Sequence, residues 1–427
     1  MRVGRCGIGM AVAAFTTTSA VAQFVQYKAP GSLASPALST RERREAALED
    51  ARWRLGGLRL TPWFGVRDVT YYDDVLPSVP GKQSDLAATA GAGVAAFLPL
   101  GSKLMLAGHA LPEYQWWREF SDRRGWGGRY AVGLAGYFNR LKIEAYAARN
   151  EQLQYASSES ELPTNVLERR NHARIEVEVV RRLYVYASGQ DTTWRYSRDD
   201  GATPSDLPDQ LDRDETETAA GFRLEVSSTV KVSVGAKRTD VDFVHSLFSR
   251  SARGDGPTLA LLLGTDRTGL DASIARFTIK PVGDSSFVRY TGTTGQVQVW
   301  RRLAGQLRWS VYGSRNLGFT AYTDQFAYYV QQSLGTAFSF PVGWRGTGSI
   351  YLESGSLDYI AGASGGLSRT DDVRAYGLRA TFSMARSTRL FVGFSRSRYD
   401  SNMPGLDRTY TRLQTGIAFG TGEPSVW

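Results

Sequence analysis

The stretch from Thr370 to the end of the chain most narrows what this sequence can fold into. Tyr376, Leu378, Ala380 and Phe382 alternate with Ala375, Gly377, Arg379, Thr381 and Ser383, so a period of two places the apolar set on one face and the small and polar set on the other. After the short link Ala385–Ser387 the pattern resumes, with Leu390, Val392 and Phe394 set against Arg389, Gly393, Ser395 and Ser397. A polar loop, Asp400–Asp407, leads into a third run, Tyr410–Phe419. Strands with one apolar and one Arg/Ser/Thr/Gly face suit a sheet held between oil and water. A tight link at one end and a long loop at the other is the meander of a transmembrane barrel.

Composition agrees. The chain has 427 residues, of which 42% are apolar and 12% aromatic, with 45 glycines. A water-soluble globule of this length needs a larger aliphatic core, whereas a barrel with a wet lumen needs only one apolar face. Beyond the N-terminal leader there is no run of 18 consecutive apolar residues, so a helical span is not expected and any crossing is by a closed barrel.

The first 22 residues read as an export signal: Arg2 and Arg5, then a small apolar segment, then Ala20-Val21-Ala22 before Gln23. Cleavage there removes Cys6, the one cysteine, and takes the net charge from +9 to +7. That charge suits contact with outer-membrane lipid, lipopolysaccharide or an anionic polymer, and equally a solvated surface; nothing points to nucleic acid. Residues 23–57 form a periplasmic segment in which Ser39–Gly56 is expected to be helical, with Ser39 and Glu42 as a capping box and Gly56 as the C-cap. It is read either as a docking helix or plug or as a solvated leader. Residues 58–420 are the barrel and 421–427 a tail, in which Pro424 argues against a strand.

Eighteen candidate strands run from Leu58–Tyr71 to Arg408–Phe419, with sixteen as the alternative count. The pattern is weak at Thr258–Lys280, and Pro112 sits badly inside the third candidate, Lys103–Trp117. Short links such as Asn139-Arg140 and Arg181-Arg182 alternate with long polar ones such as Arg198–Asp214 and Val244–Pro257. An even strand number with short periplasmic turns returns both ends to the periplasm. Aromatics cluster at two levels: Tyr137, Phe138, Trp300 and Trp344 near short links, and Trp116, Trp117, Trp126 and Trp194 near long ones, as expected for two interfacial girdles.

A charge facing mid-membrane lipid costs about 2–4 kcal/mol for Arg or Lys. The charged faces therefore belong inside, and Lys142, Glu144, Arg174, Glu176, Glu178, Arg223, Glu225, Lys231, Lys237, Arg308 and Arg379 are expected to line the lumen. Tyr146, Tyr186, Tyr312 and Tyr351 are candidate stacking surfaces for sugar rings, or space-fillers. His109, His172 and His245 are scattered, and no zinc spacing, phosphate loop or nucleophile elbow occurs, so neither enzyme nor cofactor is expected. Asp199, Asp200, Asp206, Asp209, Asp212 and Asp214 crowd one loop, read as solvated or as a divalent-cation or lipopolysaccharide bridge.

Arg369-Thr370-Asp371-Asp372, Arg396-Ser397-Arg398-Tyr399-Asp400-Ser401-Asn402 and the early Tyr71-Tyr72-Asp73-Asp74-Val75 resemble the β-barrel porin 2 family, which commonly has Asn where this chain has Asp74. The resemblance implies export of an exopolysaccharide or capsule polymer through the outer membrane, with periplasmic polysaccharide-export proteins as partners. Two other readings stand beside it: a general diffusion porin, and a structural or adhesive barrel with a filled lumen.

Overall fold

The computed structural model describes residues 24–25, 27–33, 44–45, 48–49, 51, 53–73, 84–159, 163–197, 207–245, 249–265, 267–321, 326–343, 345–361, 368–385 and 388–420. The leader, residues 1–22, and the tail, 421–427, lie outside them.

An alternating strand has one face that water rejects and one that lipid rejects, so the chain is satisfied only when a closed sheet separates the two. After a short β1 (Trp53–Leu55) come β2 (Leu58–Tyr72), β3 (Asp85–Leu100), β4 (Leu104–Trp117), β5 (Gly125–Tyr137), β6 (Leu141–Tyr155), β7 (Pro163–Val180), β8 (Leu183–Tyr196), β9 (Arg213–Glu225) and β10 (Val230–Phe243). The wall continues with β11 (Ala252–Gly264), β12 (Thr268–Pro281), β13 (Tyr290–Ala304), β14 (Leu307–Phe319), β15 (Phe326–Val342), β16 (Gly346–Ala361), β17 (Arg369–Ala385), β18 (Thr388–Ser401) and β19 (Arg408–Gly420). From β2 to β19 each strand pairs antiparallel with its sequence neighbours. β19 returns to β2, with Arg412 opposite Tyr72 and Gly420 opposite Trp63, so eighteen strands close into a barrel. Closure leaves no unpaired sheet edge.

All eighteen expected strands are present. Several extend further towards the long links: β7 begins at Pro163 rather than Asn171, and β11 at Ala252 rather than Thr258. Above the bilayer neither face meets lipid, so polarity stops alternating while the backbone ladder continues. Pro112 is accommodated inside β4. The β3–β4 ladder pairs Gly91 with Glu113 and Val94 with Ala110 and lapses between them. On the other side Gly128 stands opposite Pro112 at φ +151°, where an added Cβ would lie 2.6 Å from the Leu111 carbonyl oxygen.

Ile175, Phe222, Val234, Leu334 and Leu352 are exposed on the outer surface, as lipid-facing residues should be. The girdle expectation is corrected by strand parity. Trp116, Trp126 and Phe138 are exposed, but Trp117 is buried inside, and Trp194 and Trp300 share the faces of Thr192 and Gln298, which point inward. Trp344 lies outside the described residues.

The helix expected over Ser39–Gly56 is not borne out at its end. Trp53–Leu55 is β1, which pairs with Leu58–Leu60 across the Gly56-Gly57 turn, where Gly56 takes φ +60°. Arg44–Glu45 and Leu48–Glu49 are locally helical, and most of the remaining stretch lies outside the described residues.

The long-link end is packed from within. Leu207 and Leu211, on the short helix α1 (Leu207–Leu211), join Val241, Phe277, Phe287, Leu317, Phe319 and Tyr328 in one buried cluster. Arg250 threads into it and donates to the carbonyl oxygens of Thr320 (2.7 Å), Ala327 (3.2 Å) and Gln210. Burial pulls this guanidinium down to about 9. Glu159 is buried nearby and accepts from Thr320 Oγ1 (3.0 Å) and the Ala321 amide. Burial pushes its carboxyl above the usual range.

Candidate functional site

Cross-strand partners share a face, so the registers place the expected lumen residues together. Lys142 stands opposite Glu176, Glu144 opposite Arg174, and Tyr146 opposite His172. Glu176 then meets Tyr186, Tyr184 stands between Glu178 and Arg223, and Lys231 faces Glu225. The result is a charge lattice along β6–β10. Glu176 is its node, 2.6 Å from Arg223, 2.8 Å from Arg174 and 3.9 Å from Lys142. Glu225 lies 3.4 Å from Arg223 and 3.9 Å from Lys142. Arg223 also lies over the Tyr184 ring at 4.7 Å, and Arg174 over Tyr186 at the same distance. Lys237 pairs with Glu217 farther up the wall, and Glu178 accepts from the Arg182 amide at the short-link end.

The tyrosines share the faces of these charged residues and offer little free ring face. Tyr186 lies beneath Arg174, Tyr146 packs on His172 at 5.1 Å between ring centres, and Tyr312 is fully buried. The N-terminal segment reaches both remaining tyrosines: Leu33 packs against the Tyr312–Ala337 cluster, and Gly31 lies beside the Tyr351 ring.

That segment runs through the lumen, which the alternation pattern did not reveal. The Val25 amide donates to the Leu317 carbonyl oxygen at 2.7 Å, near the long-link end. Lys28 Nζ donates to Ser314 and, at 3.2 Å, to Ser333 Oγ. The Gly31 amide donates to Glu353 Oε2 at 2.8 Å, and the Leu33 carbonyl oxygen accepts from Gln298 Nε2 at 2.7 Å. Gly31 sits at φ +73°, and an added Cβ would lie 2.6 Å from the Tyr351 ring, so only glycine passes there. Towards the short-link end, Arg44 is fully buried against Glu144 (2.9 Å) and the Tyr137 hydroxyl (2.6 Å).

Arg379 lies apart from the lattice, in a recess of about 320 Å³ lined by Trp63, Arg67, Asp68, Thr381, Arg389, Phe391 and Gln414. A β-bulge builds it. The β2–β3 register shifts between Arg67 and Thr70, and Asp68 takes φ +52°. Two successive charged residues thereby reach the same side, which a regular strand forbids. Arg67 is held by Asp68 and by Glu113, at 2.8 and 2.7 Å. Arg379 makes no hydrogen bond or ion pair among the described residues. Arg308 stands at the short-link end, 4.7 Å from the Trp300 ring centre.

His109 and His172 face the lumen from separate strands, and His245 lies 3.6 Å from Asp209 in a long link. Asp212 accepts from the Tyr196 amide at 2.7 Å, while Asp199, Asp200 and Asp206 lie outside the described residues. Among the described residues no group of three or more His, Cys, Asp or Glu could hold a metal ion.

No protein-family model matches the chain, and no curated protein does. Solved structures do. A BenF-like porin from Pseudomonas fluorescens Pf-5 is 10% identical, with 86% of this chain and 99% of that one covered at a TM-score of 0.53. Pseudomonas aeruginosa OccK9 (OpdG) is 11% identical, with coverage of 84% and 98% and a TM-score of 0.51. Pseudomonas aeruginosa OpdK with vanillate is 12% identical, with coverage of 84% and 98% and a TM-score of 0.50. At such identities the likeness is one of fold, the antiparallel barrel of outer-membrane porins. It takes the sequence resemblance as far as a porin-type barrel; the association with exopolysaccharide export finds no support in it.

Proposed function

We propose that this barrel is an outer-membrane diffusion channel for small hydrophilic solutes, with a preference for anions. The observation that carries the reading is the recess inside the wall where Arg67, Arg379 and Arg389 converge and Arg379 makes no hydrogen bond or ion pair among the described residues. An anion there gains an unpaired guanidinium without breaking an existing pair. Trp63 and Phe391 add apolar surface on the same recess, and Thr381 and Gln414 add hydrogen-bonding groups. The lining role of Lys142, Glu144, Arg174, Glu176, Glu178, Arg223, Glu225, Lys231 and Lys237 belongs to the same proposal. Their mixed signs hold the wall together and leave the choice of solute to the recess.

Passage of a polysaccharide strand requires a wide clear path. A lumen bridged by Lys28, Gly31 and Leu33 suits small solutes better. The filled-barrel reading has one observation in its favour, the complete burial of Arg44 and Arg223.

The test is swelling of proteoliposomes in isotonic anionic, neutral and cationic solutes of equal size, for the wild type and Arg379→Glu. The anionic solute should enter fastest, and Arg379→Glu should lower its advantage about tenfold, the factor that corresponds to roughly 1.4 kcal/mol. Equal uptake of all three solutes by both proteins would remove the anion preference. Absence of swelling would remove the channel.

A further inference from the structure

The outer surface of the barrel carries a second feature, separate from the lumen. On the strands β14–β18 two neighbouring register rows can be followed across the wall. One joins Val311, Thr336, Leu352, Tyr376 and Arg396; the next joins Gly313, Leu334, Ser354, Arg374 and Arg398. Where Gly313 and Ser354 replace bulky side chains, Leu334 and Leu352 stand over a shallow apolar groove of about 440 Å³, and Arg374 lies at its edge.

The two arginines mark a level in the membrane. Below Arg374 the outward positions of β17 are Tyr376, Leu378, Ala380 and Phe382; below Arg396 those of β18 are Phe394, Val392 and Leu390. An arginine facing lipid is tolerated near the interface and costly at the midplane, so both sit where the apolar band ends, on the side of the long links. Other rim arginines there are neutralised locally: Arg398 by Asp400 (2.6 Å), Arg238 by Asp240 (2.9 Å) and Arg149 by Glu151 (2.7 Å). Arg374 and Arg396 have no ion pair or hydrogen bond among the described residues. They are diagonal neighbours across the β17–β18 pairing, at a separation of about 7 Å that long side chains can bridge.

Two adjacent uncompensated guanidinium groups above an apolar groove match one kind of molecule: an anionic lipid whose phosphate meets the arginines while an acyl chain lies in the groove. We infer that this face is a binding site for a phosphorylated, multi-acyl lipid of the outer leaflet. It requires only that the barrel sit in the outer membrane, so a failed conductance or swelling experiment leaves it standing.

The test uses the refolded full mature chain in nanodiscs of neutral lipid, titrated with diphosphoryl lipid A, its dephosphorylated form and inorganic phosphate. Retained lipid is read by native mass spectrometry. Wild-type protein should retain lipid A. Arg374→Gln with Arg396→Gln should weaken retention about thirtyfold, as two charge contacts at a membrane surface imply. Ser354→Trp, which fills the groove and keeps both charges, should also weaken it. Arg276→Gln removes an exposed arginine elsewhere on the wall and should change nothing. Equal retention of dephosphorylated lipid, competition by inorganic phosphate alone, or unchanged retention in both the paired-arginine and Ser354→Trp proteins would overturn the site. So would concentration-dependent dimers that the variants abolish, since the face would then meet a second copy of this chain.

Discussion

Glu176 offers the sharpest test of how the lumen wall is held. Its carboxylate lies 2.6 Å from Arg223 and 2.8 Å from Arg174, whose side chains are 0% and 16% exposed, while its own is 6% exposed. Lys142 is a third cation at 3.9 Å. A unit-charge pair at about 4 Å is worth roughly 4 kcal/mol at an effective dielectric of about 20, before desolvation is subtracted. Removing one partner of a buried pair typically costs about 3–5 kcal/mol. Glu225 stays 3.4 Å from Arg223 and takes up part of the loss, which puts Glu176→Gln at the low end. The expected destabilisation is about 3 kcal/mol, near a hundredfold in the folding equilibrium. Urea unfolding of detergent-refolded protein, with midpoint and slope compared, measures it. The double variant Glu176→Gln with Arg223→Met should recover part of the loss, because it also removes the buried Arg223 charge that Glu176→Gln leaves short of its carboxylate, while Arg174 and Lys142 stay without theirs. A Glu176→Gln effect within about 0.5 kcal/mol would make the lattice a hydrated, surface-like set of pairs that does not hold the wall.

Deleting Phe24–Leu33 removes the contacts to Leu317, Ser333, Glu353 and Gln298, and single-channel conductance should rise while the barrel's heat-modifiable gel shift persists; unchanged conductance would place the current path elsewhere. Gly31→Val, which meets both a positive φ and the Tyr351 ring, should mimic the deletion in part, read as a conductance between the two. Glu159 supplies a pH dependence of defined sign. Its carboxyl is raised by burial, so the stability it contributes is fully present below the ordinary carboxylate range and is lost as pH rises through the raised folded value. Relative to Glu159→Gln, the wild type should therefore gain stability as pH falls through that window; a wild-type advantage that shrinks on acidification would contradict it.

Much of the barrel could be read from the chain because lipid enforces alternation. Leu141, Ile143 and Ala145 against Lys142, Glu144 and Tyr146 is a local signal, and the wall follows from repeating it. The lattice was accessible for the same reason, since charges excluded from one face must lie on the other. Three features were not. The path of Phe24–Leu33 rests on contacts to residues far along the chain, such as Gly31 with Glu353, and the segment itself has no period to read. The recess depends on a bulge at Asp68, and a bulge erases the parity by which Arg67 and Asp68 would be assigned to faces. Trp117, Trp194 and Trp300 look like girdle residues by type and face inward by register. Arg389 was visible on the polar face of its strand, yet only the closed barrel brings it beside Arg67 and Arg379.

Whether the barrel is an anion-preferring channel is read from the single-channel current of the refolded mature protein in a planar bilayer under a potassium chloride gradient. Steady openings are expected, with a reversal potential towards the chloride equilibrium potential and a shift away from it in Arg379→Glu. A bilayer that stays silent with correctly folded protein, or openings with a potassium-side reversal potential that Arg379→Glu leaves in place, would contradict it.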